Sequence, residues 1–356
     1  MLRFALVGCG RISKKHSELL SGGEISGANL AAVCDIDAAR AEEVGKRCGV
    51  PWFTDMDEMM NVCGDEIDII SVLTPSGMHA DHAVQLSRFE KHLVIEKPMA
   101  LTLEDADKMI AACDQAGTKL FIVKQNRFNK PVVKLKQALD EGRFGKLVMG
   151  TVRVRWCRDQ SYYDQDDWRG TWALDGGVFA NQASHHIDLL MWCLGTPISV
   201  FAVSRTALVS IEAEDTAVAI VKFKNGAIGV IEATTATRPR DLEGSLSILG
   251  ENGSAEIGGF AVNEMKVWNL ADDSDESSDI LESFRENPSS VYGFGHKAYL
   301  QNVCESVLHG KPSLVDGLEG RRSLELISAL YESIHTGKEV SLRYEQTRSP
   351  LGRQKS

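Results

Sequence analysis

Short apolar runs separated by helical stretches dominate the first third of the chain. Leu2 to Val7 reads as a buried strand, Ala31 to Asp35 as the end of a second, and Ile67 to Leu73, Leu93 to Ile95 and Leu120 to Val123 as three more. Met56, Met59, Met60 and Cys63 share one helical face, and a helix is predicted from about Met78 to Leu86. Thr102 with Asp105 forms a capping box ahead of a stripe of Ala106, Met109, Ile110 and Cys113. Strands that alternate with helices predict a parallel, doubly wound sheet.

After a helix near residues 130–141 the pattern changes to a period of two. Val148, Gly150, Val152, Val154 and Trp156 fall on one face of a strand, with Thr151, Arg153 and Arg155 opposite. Asn225-Gly226 and Asn252-Gly253 sit between strand-like runs and mark two hairpins. Helical spacing returns at Leu324, Ile327, Tyr331 and Ile334, and Gly337 is a stop signal. The predicted fold is therefore α/β, a Rossmann domain over residues 1–124 followed by an α+β domain over 125–345 with a large, mainly antiparallel, open-faced sheet, and a tail over 346–356. An uncovered apolar sheet face needs a partner, which predicts a homo-oligomer, a dimer or tetramer.

At 356 residues the chain is long for one core, and 43% hydrophobic with 25% charged residues is ordinary for a soluble protein. A formal charge of -11 argues against nucleic acid and anionic membranes as partners. No apolar run approaches the roughly 20 residues of a membrane span, so a cytoplasmic location is expected. The eight cysteines are dispersed without C-x-x-C spacing and read as buried thiols; the acidic stretch 272–279 reads as a solvated loop, and no metal site is expected.

The chemistry gathers at strand ends, where open α/β sheets bind ligands. Gly8-Cys9-Gly10-Arg11-Ile12-Ser13 follows the first strand as a dinucleotide-binding turn with Ser in the third glycine's place. Asp35 ends the second strand and is placed to accept a ribose 2′-hydroxyl and repel a 2′-phosphate, which favours NAD over NADP. Lys97, in Val94-Ile95-Glu96-Lys97-Pro98, is pinned at another strand end. Thr74 and His79 follow the strand beginning at Ile67, and Gln125-Asn126-Arg127 follows the last strand of the first domain. Gly176-Gly177 is read as opening a helix that carries Asn181 and His185 on one face, with His186 turned away into the core. Lys97 or His185 can accept a hydroxyl proton: His titrates near neutrality, and Lys does so once burial and a nearby cation lower its pKa.

Together, Gly8-Cys9-Gly10, Thr74-Pro75-Ser76 with His79, Glu96-Lys97-Pro98, and Gly-Gly followed by Asn181-x-x-x-His185 resemble the Gfo/Idh/MocA oxidoreductases over essentially the whole chain. The resemblance implies NAD as cofactor, with Gly8, Gly10, Arg11, Ile12, Asp35, Thr74, Pro75, His79, Glu96, Lys97 and Gln125 around it, and a cis Lys97-Pro98 bond. It makes Lys97 and His185 the catalytic pair. Many members carry Asp where this chain has Asn181, which leaves Asn181 as a hydrogen-bond partner for a sugar hydroxyl. Trp168-Arg169-Gly170-Thr171-Trp172, Asn181 to His185, Asn263-Glu264 and Ser290 to His296 resemble the branch that oxidises the 3-hydroxyl of UDP-N-acetyl-2-amino-2-deoxyglucuronate in surface polysaccharide biosynthesis.

Such a nucleotide-sugar substrate carries two phosphates and a carboxylate, for which Arg158, Arg169, Arg238 and Arg240 are candidates, with Tyr162, Tyr163 and Trp168 for stacking. A 2-oxo acid is a candidate reoxidant of the reduced cofactor. The competing readings are a free-sugar or inositol-type dehydrogenase, a related redox-dependent glycosidase, and a non-catalytic NAD sensor.

Overall fold

The structure, a computed structural model, describes residues 1–271, 276–285 and 293–342. Residues 343–356, the stretch Ser290 to Tyr292 and the first half of the acidic run, 272–275, lie outside the described residues, and its second half, 276–279, is the start of a helix in place of the expected solvated loop. The chain runs through β1 (Leu2–Val7), α1 (Ser13–Ser21), β2 (Ala28–Cys34), α2 (Ala38–Cys48), β3 (Trp52–Phe53), α3 (Met56–Cys63), β4 (Ile69–Val72), α4 (His79–Ser87), β5 (His92–Ile95), α5 (Leu103–Gln115) and β6 (Leu120–Ile122). It continues through α6 (Lys130–Asp140), β7 (Leu147–Arg155), α7 (Gln160–Tyr163), α8 (Ser184–Leu194), β8 (Pro197–Arg205), β9 (Thr216–Phe223), β10 (Ile228–Thr234), β11 (Glu243–Gly250), β12 (Gly253–Gly258), β13 (Glu264–Leu270), α9 (Glu276–Ser283), α10 (Gly295–His309), α11 (Gly317–Thr336) and β14 (Val340–Ser341).

The first six strands form one parallel sheet in the order β3-β2-β1-β4-β5-β6. The order reverses between β1 and β4, and the crevice at their carboxyl ends is where such sheets take a ligand. Local sequence sets the boundaries. Thr102 caps α5 by accepting from the Asp105 N–H, Asp37 caps α2, and Gly49 and Gly337 end α2 and α11 in the left-handed region. Gly8 is required at the end of β1: its φ is +100°, and a Cβ there would lie 2.8 Å from the Leu73 carbonyl carbon.

The remaining strands make an eight-stranded sheet in the order β13-β12-β11-β7-β10-β9-β8-β14, antiparallel except for the β7–β10 pair. Both Asn-Gly pairs stand at hairpins, β9–β10 and β11–β12. Along β7 the alternation holds for Gly150, Val152 and Val154, which are buried, whereas Val148 at the strand's start is 54% exposed: the register with β11 steps from Leu249 opposite Met149 to Gly250 opposite Leu147, and Leu147 packs on the core in its place. The helices that cover this face are α6, α8 and α11, and α8 is buried on nearly every side.

The two sheets are tied together by chain that crosses back. Tyr299, Leu300, Val303 and Cys304 of α10 join the core of the first sheet, and Leu324 of α11 joins its other face. Arg127, just past β6, makes a two-pronged ion pair with Asp188 of α8, both bonds 2.8 Å, and reaches Glu319 of α11 at 3.2 Å. All eight cysteines are free. No described helix is long and apolar enough to cross a membrane.

The outer face of the eight-stranded sheet carries exposed apolar side chains in register. Phe201 pairs with Ile220 and Val203 with Val218 across β8 and β9, and Ile228 continues the patch on β10.

Glu214 is sealed behind the turn at residues 176–180. Its Oε1 accepts from the Phe179 N–H at 3.0 Å and the Tyr331 hydroxyl at 2.9 Å, while Oε2 has no partner among the described residues. Burial, helped by the Asp175 charge, raises its pKa from 4.5 to about 7. The folded chain therefore holds a proton here that the unfolded chain has already lost, so the stability this group contributes is full below its unfolded pKa and disappears as pH rises through about 7. Denaturant unfolding from about pH 5 to pH 8 is expected to show Glu214→Gln gaining about 3 kcal/mol relative to the parent; parallel pH profiles for the two proteins would refute the assignment.

Candidate active site

A cavity of ≈ 740 Å³ opens at the switch point between β1 and β4. Gly8, Gly10, Arg11, Ile12, Asp35, Thr74, Pro75, Glu96, Lys97 and Gln125 line one end, and Arg158, Tyr162, Trp168, Arg169, Asn181 and His185 line the other. The first end fits a dinucleotide. A Cβ on Gly10 would meet nothing within 4 Å, so the turn presents open space there, and the Asp35 oxygens brace it by accepting from the Cys9 N–H at 2.6 Å and the Asp37 N–H at 2.8 Å. Gln125 and His185 add polar side chains to the wall, although Gln125 Oε1 and His185 Nδ1 themselves are turned into the protein.

Lys97 stands where the two ends meet, followed by a cis bond to Pro98. Its Nζ donates to the Asn181 backbone oxygen and to Asn181 Oδ1, each at 3.0 Å. Burial lowers its pKa, opposed by the charges of Glu96 and Asp175 and reinforced by Arg169 and Arg158. Burial also takes His185 well below 6.5, with the Lys97 and Lys124 charges adding to it, so its imidazole is neutral. Lys124, 4.0 Å from Asp188, is itself brought down to about 8 by burial.

Glu96 is buried, with only its edge on the cavity wall. Burial alone would raise its pKa, but the 3.0 Å hydrogen bond from His16 and the charges of His16, His296 and Lys97 hold it at about 2. His16, Glu96 and His296 bring one donor atom each within 4.8 Å, a grouping able to hold a cation that the sequence reading did not foresee. The His16 bond and the adjacent Lys97 ammonium already compensate this carboxylate. The three residues come from α1, the end of β5 and α10, a convergence no local pattern announces.

The outer end is cationic and aromatic. Arg169 lies over Trp168 at 4.6 Å and Tyr162 at 4.7 Å, donates to the Tyr162 hydroxyl and pairs with Asp166 at 2.9 Å. Arg158 pairs with Asp241 at 3.0 Å. Arg11 donates to Gln165 at 2.7 Å, so the 162–169 segment of the second half reaches the glycine-rich turn of the first.

Four expectations are corrected. His79 does not line the cavity: it is 1% exposed, with Nδ1 2.9 Å from the Pro98 carbonyl and Nε2 2.8 Å from that of Thr74, while burial pushes its pKa down against both. It braces the loops that carry Thr74 and Lys97, and His82 takes the cavity position. Tyr163 is also absent from the wall, because its hydroxyl is buried against Thr235 Oγ1 at 3.0 Å and the neighbouring Tyr162 faces the cavity instead. Asn181 and His185 do share the cavity, but α8 begins only at Ser184, and Asn181 lies in the turn before it. Arg238 and Arg240 are not on the wall; Arg238 donates to the Thr235, Thr237 and Arg158 carbonyls. His186 is a core residue, edge-on to Trp156, with its pKa lowered by burial to about 3.

Comparison with known proteins agrees with this geometry. Residues 2–124 match the oxidoreductase family model for an NAD-binding Rossmann fold, and residues 136–342 match the model for that family's C-terminal alpha/beta domain. The WlbA dehydrogenase from Bordetella pertussis, solved with NADH and UDP-GlcNAcA, is 41% identical, with 97% of this chain and 98% of that one aligned at a TM-score of 0.89. The WlbA dehydrogenase from Chromobacterium violaceum, solved with the same two ligands, is also 41% identical over 97% of each chain at a TM-score of 0.89. A myo-inositol 2-dehydrogenase from Thermotoga maritima is 28% identical over 96% of this chain and 98% of its own length. The chain belongs to the Gfo/Idh/MocA oxidoreductase family and is an NAD-dependent sugar or polyol dehydrogenase.

Proposed function

We propose that the protein oxidises the 3-hydroxyl of UDP-N-acetyl-2-amino-2-deoxyglucuronate to the 3-keto sugar. The observation that carries this reading is the 41% identity, over nearly the whole of both chains, to two dehydrogenases solved with NADH and UDP-GlcNAcA. The cavity supports it, since a neutral polyol has no use for Arg158, Arg169, Tyr162 and Trp168 gathered at the end away from the glycine-rich turn. The second reading, a free-polyol dehydrogenase, draws on the full-length inositol dehydrogenase relatives, whose identity to this chain is lower at 28% and 26%.

NAD, when bound, supplies a hydride acceptor. The glycine-rich turn, Asp35 and Gln125 would hold it, and the chain's own work is to place the sugar and take the hydroxyl proton. As the carbon loses its hydrogen with the bonding electron pair, the O–H bond breaks and its proton passes to the chain. Lys97, with a pKa brought down from 10.5 by burial, takes that proton; His185, neutral and a weaker base, hydrogen-bonds the same oxygen. Asn181 holds the lysine in place.

The test is NADH absorbance after adding NAD and UDP-N-acetylglucosaminuronic acid, coupled to an aminotransferase that removes the ketone, beside UDP-N-acetylglucosamine and myo-inositol. Reduction with the uronate alone is expected, and reduction with inositol alone would overturn the reading in favour of the polyol branch. Lys97→Ala and His185→Ala should each lower turnover about 100-fold or more and leave NAD affinity nearly unchanged. Full turnover in both would remove them from the chemistry.

We also infer a homo-oligomer that covers the Phe201, Val203, Val218 and Ile220 patch. Light scattering is expected to find a dimer or tetramer that Phe201→Asp with Ile220→Lys converts to monomer. A monomeric parent would sink the idea.

A further inference from the structure

We propose that Asp175 is a positioning residue of this active site: its carboxylate fixes which way the Asn181 amide faces, turning the amide oxygen to the Lys97 ammonium, and supplies the negative charge that neutral Asn181 lacks. The inference rests on the reading of Lys97 as the group at the reacting hydroxyl.

An asparagine amide has a donor end and an acceptor end, and only its surroundings decide their orientation. Here both neighbours are single-minded. Lys97 Nζ can only donate, and it meets Oδ1 at 3.0 Å. Asp175 Oδ1, as a carboxylate oxygen, can only accept, and it takes a short hydrogen bond from Asn181 Nδ2. Its other oxygen accepts from the Gly170 N–H at 2.8 Å, which locks the carboxylate in place. Asp175 is 1% exposed, so water does not compete for these oxygens.

The backbone that presents Asp175 is constrained. Gly176 follows it at φ +83°, and a Cβ on Gly177 would fall 2.0 Å from Glu214 Oε2, so this turn is pressed onto its support as only glycines allow. The charged and titratable groups that bear on Asp175 are Lys97, Arg169, Glu214 and Tyr163. Burial pushes its pKa up, and the Gly170 N–H, the Asn181 amide and the Lys97 and Arg169 charges oppose that rise. Lys97 in turn is faced by Glu96, Asp175, Arg169 and Arg158, with His79 and His185 close enough to feel its charge.

Asp175→Asn removes the charge and keeps the shape. Its oxygen stays on Gly170, so its amino group faces Asn181 and forces that amide to flip, pointing an N–H₂ at the lysine. Adding Asn181→Asp reverses the damage, because the new carboxylate accepts from both residue 175 and Lys97.

The experiment follows Lys97 directly in the full-length protein, through the pH dependence of its acetylation by acetic anhydride read by mass spectrometry, beside kcat and NAD affinity. Asp175→Asn is expected to lower kcat about 10-fold or more at unchanged NAD affinity and to shift the Lys97 titration to lower pH. The double variant should recover most of the lost kcat and carry that titration above the parent's, since its carboxylate touches the ammonium directly. A parent-like titration in Asp175→Asn, or a double variant no better than the single one, would overturn the proposal, whereas a purely structural Asp175 gives no reason for rescue at position 181. Because acetylation needs no substrate, it reports on Asp175 even where the substrate reading fails. Should Asp175→Asn not fold, Asn181→Asp alone supplies the reading: two carboxylates at one hydrogen bond share a proton, so a new ionisation in the neutral range is expected in its acetylation profile. Its absence would count against Asp175 as an ionised partner.

Discussion

The pair of hydrogen bonds from Lys97 Nζ to Asn181 joins the parallel sheet to the domain built on the antiparallel one at the point where chemistry is to occur. An ammonium withdrawn from water is costly unless charges and acceptors replace its hydration. Glu96 and Asp175 supply the charge and Asn181 the acceptors. The balance is deliberately incomplete in one physical sense: burial still wins, and the pKa sits below that of a solvated lysine. A lowered pKa is the direction that a lysine acting as a base requires.

Holding that lysine imposes demands outward. Its strand end must be fixed, and Glu96 is anchored by His16 from the helix that follows the glycine-rich turn, while His79 spans the Pro98 and Thr74 carbonyls. Asn181 must be fixed as well, and the turn that carries it leans on Glu214 and on the Tyr331 hydroxyl, which accepts from the Gly177 and Ala180 N–H groups. Arg127 with Asp188 ties the last strand of the first sheet to the helix that bears His185. Breaking such a buried pair leaves an uncompensated charge, typically a loss of about 3–5 kcal/mol, so the relative placement of the two halves is stiff where it matters.

Periodicity made much of this legible in the sequence, because a period of two or 3.6 reports which face is buried. The strands ending at Val7, Val72 and Ile95 put Gly8, Thr74 and Lys97 at one sheet edge, and the Asn-Gly hairpins carried the second sheet. Orientation within a turn was not legible. Tyr162 and Tyr163 are neighbours whose rings meet at 89°, and nothing local decides which one faces the cavity. His79 lies between two backbone carbonyls, one of which takes its N–H, and no side-chain pattern records that. His16 and His296 meet Glu96 from opposite ends of the chain. The start of α8 was displaced for a simpler reason: Gly176 takes a left-handed φ of +83° and Gly177 serves a close approach to Glu214, and neither opens the helix.

The charge of the cavity bears on selectivity more than on affinity. The protein carries a formal charge of -11, and its cavity arginines are not free: Arg158 is engaged by Asp241, Arg169 by Asp166, and Arg40 lies 3.6 Å from the same Asp166. A phosphate or carboxylate that enters must share or displace these partners, so part of its attraction is already spent on them. What the pairing provides is geometry, since guanidinium groups held by carboxylates and stacked on Trp168 and Tyr162 lose little freedom when a ligand arrives. A neutral sugar gains nothing from groups arranged this way and must still displace the water around them. The same logic governs Lys97: in both places an acidic protein makes its cations specific by surrounding each with a nearly sufficient set of anions.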